Sequence, residues 1–294
     1  MGIGYTSPAI GIRVDYNATI GDQIQKFNGE DTAKTVNKSA HTPVLVLNAL
    51  DNAFRMAIPI QVFSTKDLFV GSATNSMTAV SLDPQFRYYT GLDMLPQIRL
   101  YLRYGNVSTK TTTKTLKGES FGFDFRLYFG SMAEEVALQP LLKIKYDTAL
   151  DKYLGSKSIT AVGVARNTVT AGTVQNPTTA ITALGNFVAS KVYDENPYQL
   201  LILGGLGLTA NSDVVSLFLR PELGLKINED GYNATKLDIG LGWNVYAELY
   251  ITPIKNLEWY MEFSLGNDSA SYDVNQSSLD MNAGTGITWY LPAL

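Results

Sequence analysis

The chain of 294 residues contains no cysteine. That removes disulfides, thiolate metal sites and cysteine nucleophiles together, without identifying a compartment. Histidine occurs once, as His41, with no Ser or carboxylate grouping around it that would build a hydrolase site. P-loop, HExxH, EF-hand and paired-cysteine zinc spacings are all missing. No catalytic residue, metal ligand or cofactor is therefore expected, and the protein reads as a non-enzyme. Only 17% of residues are charged, against about 25% in ordinary soluble domains. The net charge of −4 lacks the basic surplus that nucleic acid would want. No apolar run approaches the ~18 residues of a membrane helix. The opening Met1-Gly2-Ile3-Gly4 has no signal-peptide character, so an exported protein would be in a mature form whose leader was replaced by an initiator Met. No break in composition divides the chain, and one domain is expected over residues 1–294.

What the chain does have is alternation. From Leu237 to Ile251, Leu237, Ile239, Leu241, Trp243, Val245, Ala247, Leu249 and Ile251 share one parity. Asp238, Asn244, Tyr246, Glu248 and Tyr250 share the other. After Thr252-Pro253-Ile254-Lys255-Asn256 the pattern restarts, with Leu257, Trp259, Met261, Phe263 and Leu265 opposite Glu258, Tyr260, Glu262 and Ser264. A third run sets Leu279, Met281, Ala283, Ile287, Trp289 and Leu291 against Asp280, Asn282, Thr288 and Tyr290. Period two means a strand with two different faces. Runs of about ten such residues match the length of a tilted strand crossing a bilayer.

The same pattern recurs upstream. Candidate strands lie near Ala9–Asn17, Pro43–Leu50 (apolar on both parities, facing undecided), Phe54–Val62, Leu82–Tyr88, Ile98–Tyr104, Phe121–Phe129, Leu138–Tyr146, Tyr198–Thr209 and Val214–Ile227. The total is about twelve. Residues 18–41 and the Thr/Lys stretch from Val107 to Lys117 read as loops. Short connections near Asp51, Asp93, Met132, Asn211 and Pro253 alternate along most of the chain with longer ones near Asp31, Ser72, Lys110, Val169, Gly231 and Asp273. The segment 151–195 is long enough to be an external loop, a pore constriction or an extra hairpin, which would raise the count to fourteen.

Over nearly its whole length this pattern resembles the bacterial outer-membrane β-barrel class, porin-like barrels among them. The resemblance implies a single closed antiparallel barrel with short periplasmic turns and longer external loops. It also implies contact with the lipid bilayer and the barrel-assembly machinery, an outer-membrane location, and a homo-oligomer as an open option. The ending departs from the class: Trp289-Tyr290 is followed by Leu291-Pro292-Ala293-Leu294 rather than closing on an aromatic. A soluble β-sandwich is the competing fold.

In a barrel of this size a narrow aqueous channel can form. Inward charges then segregate. Arg87, Arg99, Arg103, Arg126, Lys143 and Lys145 form a basic wall, with Asp83, Asp124 and Asp147 as exceptions. Asp238, Glu248, Glu258, Glu262 and Asp280 form an acidic wall. Closure would set the two walls opposite each other, as a lumen selecting small polar or charged solutes. Leu, Phe and Ile of odd parity would meet lipid, with Phe54, Phe129, Trp259 and Trp289 at the periplasmic interface. A surface adhesin acting through its loops, or a filled structural barrel, would keep the same scaffold.

Overall fold

A computed structural model describes residues 2–7, 9–25, 34–68, 76–110, 115–131, 137–150, 195–229, 237–267 and 279–289. These residues form fourteen strands of one antiparallel sheet. They are β1 (Gly2–Thr6), β2 (Ile10–Gln25), β3 (Lys34–Ala49), β4 (Phe54–Leu68), β5 (Ser76–Leu82), β6 (Gln85–Tyr89) and β7 (Gln97–Lys110). They continue with β8 (Thr115–Tyr128), β9 (Ala137–Ala149), β10 (Tyr198–Asn211), β11 (Val215–Glu229), β12 (Asp238–Ile254), β13 (Leu257–Gly266) and β14 (Asp280–Trp289). Neighbours in sequence are neighbours in the sheet, except that β5 and β6 share one place between β4 and β7. This is a single-sheet meander and not the two packed sheets of a sandwich.

The count of fourteen has a different origin from the extra hairpin considered for 151–195, a segment that lies outside the described residues apart from Glu195. Here β1 is added, and the run expected near Leu82–Tyr88 is interrupted at Asp83-Pro84. Proline has no N–H for the ladder, so a strand breaks there. The neighbours stitch the break. Asp83 N donates to the Pro59 carbonyl at 3.2 Å, and Leu102 N donates to the Pro84 carbonyl at 2.8 Å.

Parts of two expected loops, residues 18–25 with 34–41 and 107–110 with 115–117, are strand instead. β2 and β3 pair from Ile10↔Ala49 out to Gln25↔Lys34, and β7 and β8 pair out to Lys110↔Thr115. These extensions are largely polar with scattered apolar residues such as Ile20, Ile24 and Val36, so hydrophobic periodicity carries little signal for them. All of them lie at the end of the sheet that bears the long connections.

The opposite end carries the short turns. Leu50, Asp51 and Asn52 adopt positive φ between β3 and β4, and Asn256 does so between β12 and β13. Asp and Asn tolerate this region because their short side chains bond locally. The β1–β2 and β10–β11 turns use one device. In each, a serine hydroxyl (Ser7, Ser212) donates to the carbonyl three residues on (Ile10, Val215) and accepts from that residue's N–H.

The register lines up side chains across strands. One row runs Tyr5, Ile12, Leu47, Met56, Phe86, Leu100, Phe125, Ile144, Ile202, Leu225 and Leu241, each directly opposite the next. It is an unbroken apolar belt. A second row carries Phe54, Tyr88, Ile98, Leu127 and Leu142. The parity that bears the belt differs among strands, odd in β8, β11 and β12 but even in β4, β7, β9 and β10, which corrects the expectation of one odd-parity lipid face. Much of this surface is open, with Ile12, Ile202, Leu225 and Leu241 all exposed. Large exposed apolar areas of this kind mark an interaction surface or a membrane.

The other face is protected in the middle of the sheet. Val44, Val46 and Ala57 form a buried cluster there, which settles the facing of β3: Leu45 points out and its neighbours point in. Leu201 and Leu203 on β10 are fully buried on this face. A Cβ at Gly242 on β12 would lie 2.9 Å from Leu203 Cδ2 and 3.0 Å from Leu201 Cδ2. The β10 side chains thus reach over β11, and a larger residue at 242 would push the two leucine ends aside.

Candidate functional site

The protected face carries the charged residues. Strand pairing brings five cations into one row: Arg55 opposite Arg87, Arg87 opposite Arg99, Arg99 opposite Arg126, and Arg126 opposite Lys143. Each is one residue away from the apolar belt on the reverse face. Like charges directly opposite in a sheet repel, so the row requires compensation.

Part of it comes from carboxylates on the same face. Arg126 makes a forked bond to Asp124, with Nε to Oδ1 at 2.8 Å and Nη2 to Oδ2 at 2.7 Å. Lys143 reaches Glu222 on β11 at 3.0 Å, and Arg220 meets the same carboxylate at 2.8 Å. Two rows further along, Arg103 is ion-paired to Asp147, with Lys145 at 3.9 Å from it. Asp124, Asp147, Glu222 and Lys143 are all buried. Buried charges hold only when paired and hydrogen-bonded. Asp124 and Asp147, taken from the sequence as exceptions to a basic wall, are instead the partners that let the wall exist.

Aromatic rings supply the rest. Arg87 lies over Tyr89 at 4.8 Å, Arg99 over Tyr128 at 5.1 Å and Arg126 over Tyr101 at 5.1 Å. Each guanidinium leans on a ring one row away, which favours its charge through the ring quadrupole. Between β4, β6 and β7 a pocket of about 90 Å³ opens, lined by Arg55, Ala57, Gln85, Phe86, Arg87, Arg99 and Tyr101.

The acidic residues occupy the other end of the strand order. Glu248 and Glu262 stand directly opposite each other. Tyr246 is hydrogen-bonded to both, at 3.0 Å from Glu262, and Tyr250 donates to Glu248 at 3.3 Å. Glu258 lies opposite Thr288 near the short β12–β13 turn. Asp238 and Asp280 begin β12 and β14 at the long-connection end and are exposed. The five acids are therefore spread along the strands. The row bearing Arg99 continues through Leu203 and Gly224 to Gly242, three same-face positions from Glu248. Among the described residues no ion pair joins the two groups.

Of the aromatic residues expected near the short turns, Trp289 lies opposite Leu257 and Trp259 opposite Ile287. Phe54 lies opposite Tyr88. Trp259 Nε1 donates to the Thr285 hydroxyl at 2.8 Å. His41 bonds through Nδ1 to the Tyr16 hydroxyl at 2.6 Å and stacks on its ring.

Arg55, Arg220 and Glu222 were not singled out as site residues by the sequence. Their parity places them on the polar face, but only the register shows that Arg55 extends the cationic row and that Glu222 answers two cations.

Fold and site define a single-sheet all-β protein with an apolar belt on one face and charged, mutually paired residues on the other. The sequence matches the family described as Serpulina hyodysenteriae variable surface protein over residues 1–290. The chain belongs to that family. No curated protein matches it. Among solved structures, it is similar to the translocator domain of the autotransporter NalP from Neisseria meningitidis, with a TM-score of 0.35 and 12% identity, covering 98% of this chain and 90% of that one. A superposition that loose defines no shared mechanism.

Proposed function

We propose that the chain is an outer-membrane β-barrel protein whose charged inner face lines a passive channel for small polar or charged solutes. The apolar belt carries this reading. A row of eleven apolar residues running from β1 to β12 is what lipid requires of a barrel exterior, and lipid leaves no room for an unpaired sheet edge. Closure would set β14 against β2. With β5 and β6 filling one place, that gives twelve positions, an even number in which both edges run antiparallel. β1 covers the edge of β2 only from Gly11 to Asp15, leaving the edge beyond Tyr16 for β14.

The polar inner face supports a watery lumen without any catalytic role. Arg87, Arg99, Arg103, Arg126, Lys143 and Lys145 form its basic side, and Asp238, Glu248, Glu258, Glu262 and Asp280 its acidic side. Lipid and small solutes are the partners this reading requires. Refolded protein in a planar bilayer will show stable conductance steps, and salt-gradient reversal potentials will report the dominant wall. Arg99→Glu or Arg103→Glu will reduce anion preference. Unchanged selectivity in both variants would remove these residues from the conduction path.

The family's description as a variable surface protein favours a second reading, in which the barrel is a scaffold and the external loops act. Deleting residues 151–195 would then abolish binding to a host or partner while conductance stays as it was. A loss of conductance with binding intact would reject that division of labour.

A further inference from the structure

The cationic row has carboxylate partners at one end only; at the other, Arg87 and Arg99 rest on the rings of Tyr89 and Tyr128. Arg126 has Asp124 and Lys143 has Glu222, but among the described residues no ion pair includes Arg55, Arg87 or Arg99. The Nε atoms of Arg87 and Arg99 are buried without a hydrogen-bond partner, although an unmade bond to a buried charged donor is costly. Nearby carboxylates are committed or displaced. Asp124, opposite Tyr101, is held in the Arg126 fork, and Asp83 lies two same-face positions beyond Arg87, at the β5–β6 break.

The three arginines are also where the face opens. Arg55, Arg87 and Arg99 make one row across β4, β6 and β7, and Ala57, Gln85 and Tyr101 make the next. The small side chain of Ala57 leaves the space that the pocket occupies. Its volume of about 90 Å³ is several times the roughly 10–15 Å³ that one water needs. Gln85 and Tyr101 add neutral donors on its wall.

We propose that Arg55, Arg87 and Arg99 form a binding site for a small oxyanion. Guanidinium groups take two oxygens on one centre as a fork, which phosphate and carboxylate both present. A bound oxyanion supplies the charge that Asp124 and Glu222 supply to the rest of the row. The site deepens the channel reading, since it requires a face reached by solutes.

The test is titration of folded, detergent-solubilised protein with inorganic phosphate, then acetate, each against chloride at equal ionic strength. Calorimetry reads affinity and the unfolding midpoint reads stabilisation. Phosphate or acetate will raise the midpoint beyond chloride. Arg87→Gln will weaken that binding about tenfold or more, as expected for a lost charged hydrogen bond. Removing one of several facing cations relieves repulsion, so Arg87→Gln will fold without anion at an unchanged or higher midpoint. Arg99→Lys keeps the charge but not the fork and will also bind phosphate more weakly. Equal effects of phosphate, acetate and chloride would overturn the site, as would undiminished binding in both variants. Protein that binds phosphate but carries no current keeps the site and loses the channel. Protein that conducts but fails the titration keeps the channel and loses the site.

Discussion

Asp124→Ala will destabilise the folded protein by about 3–5 kcal/mol, the range for breaking a buried pair from one side. Asp124 is fully buried and bonds both oxygens to Arg126. Arg126 in turn lies between Arg99 and Lys143, so losing the carboxylate leaves three adjacent cations without their central counter-charge. Lys145, directly opposite Asp124, loses a neighbouring anion as well. Denaturant unfolding in micelles, followed by the shift in mobility between folded and unfolded forms, measures the loss. The double variant Asp124→Ala/Arg126→Met removes both charges and will recover much of it, because a buried pair costs less to delete whole than to split. By contrast, Arg13→Ala breaks an exposed pair with Asp15 and will change stability by only about 0–1 kcal/mol. A loss below 1 kcal/mol for Asp124→Ala would mean that Arg126 is neutralised by something else.

The sequence and the sheet agree where one face is apolar and the other polar. The strands around Leu100, Phe125 and Leu241 are legible because alternation reports exactly that contrast in environment. Where a stretch is largely polar, as from residue 18 to 25 and from 34 to 41, a paired strand leaves little mark on hydropathy. Where both parities are apolar, as in β3 and β10, the strand is visible but its facing is not. Leu201 goes inside between Lys145 and Lys226, and Leu203 between Lys143 and Gly224, and no rule of alternation predicts that.

The site follows the same logic. Parity along one strand places Arg99 and Arg126 on the polar face. Their direct opposition is a property of the β7–β8 register, which belongs to the pair of strands rather than to either strand alone. The sequence therefore reveals walls of like charge but not a single row, nor the local carboxylates that stabilise it. Glu222 lies 79 residues from the Lys143 it neutralises, a distance that only the β9–β10–β11 ladder spans.

Phe125→Arg and Leu241→Arg will each cost about 2–4 kcal/mol when the protein is folded in a bilayer, the penalty for a cation at mid-depth on a barrel exterior. Both residues belong to the apolar belt. Phe125 lies between Leu100 and Ile144, while Asp124 and Arg126 beside it in sequence face the other way. Leu241 gives the sharper discrimination because it is 60% exposed. On a water-facing surface such a substitution stays within about 0.5 kcal/mol. The same change therefore separates a lipid-facing belt from a solvated one by several-fold in energy. Ile287→Arg provides the depth control. Ile287 is as open as Leu241 but lies opposite Trp259 near the short β12–β13 turn, where the penalty falls to about 0–1 kcal/mol. Reversible unfolding from lipid vesicles will rank the three with Ile287→Arg mildest. Equal and negligible costs at all three positions would take the belt out of the membrane, and the barrel reading with it.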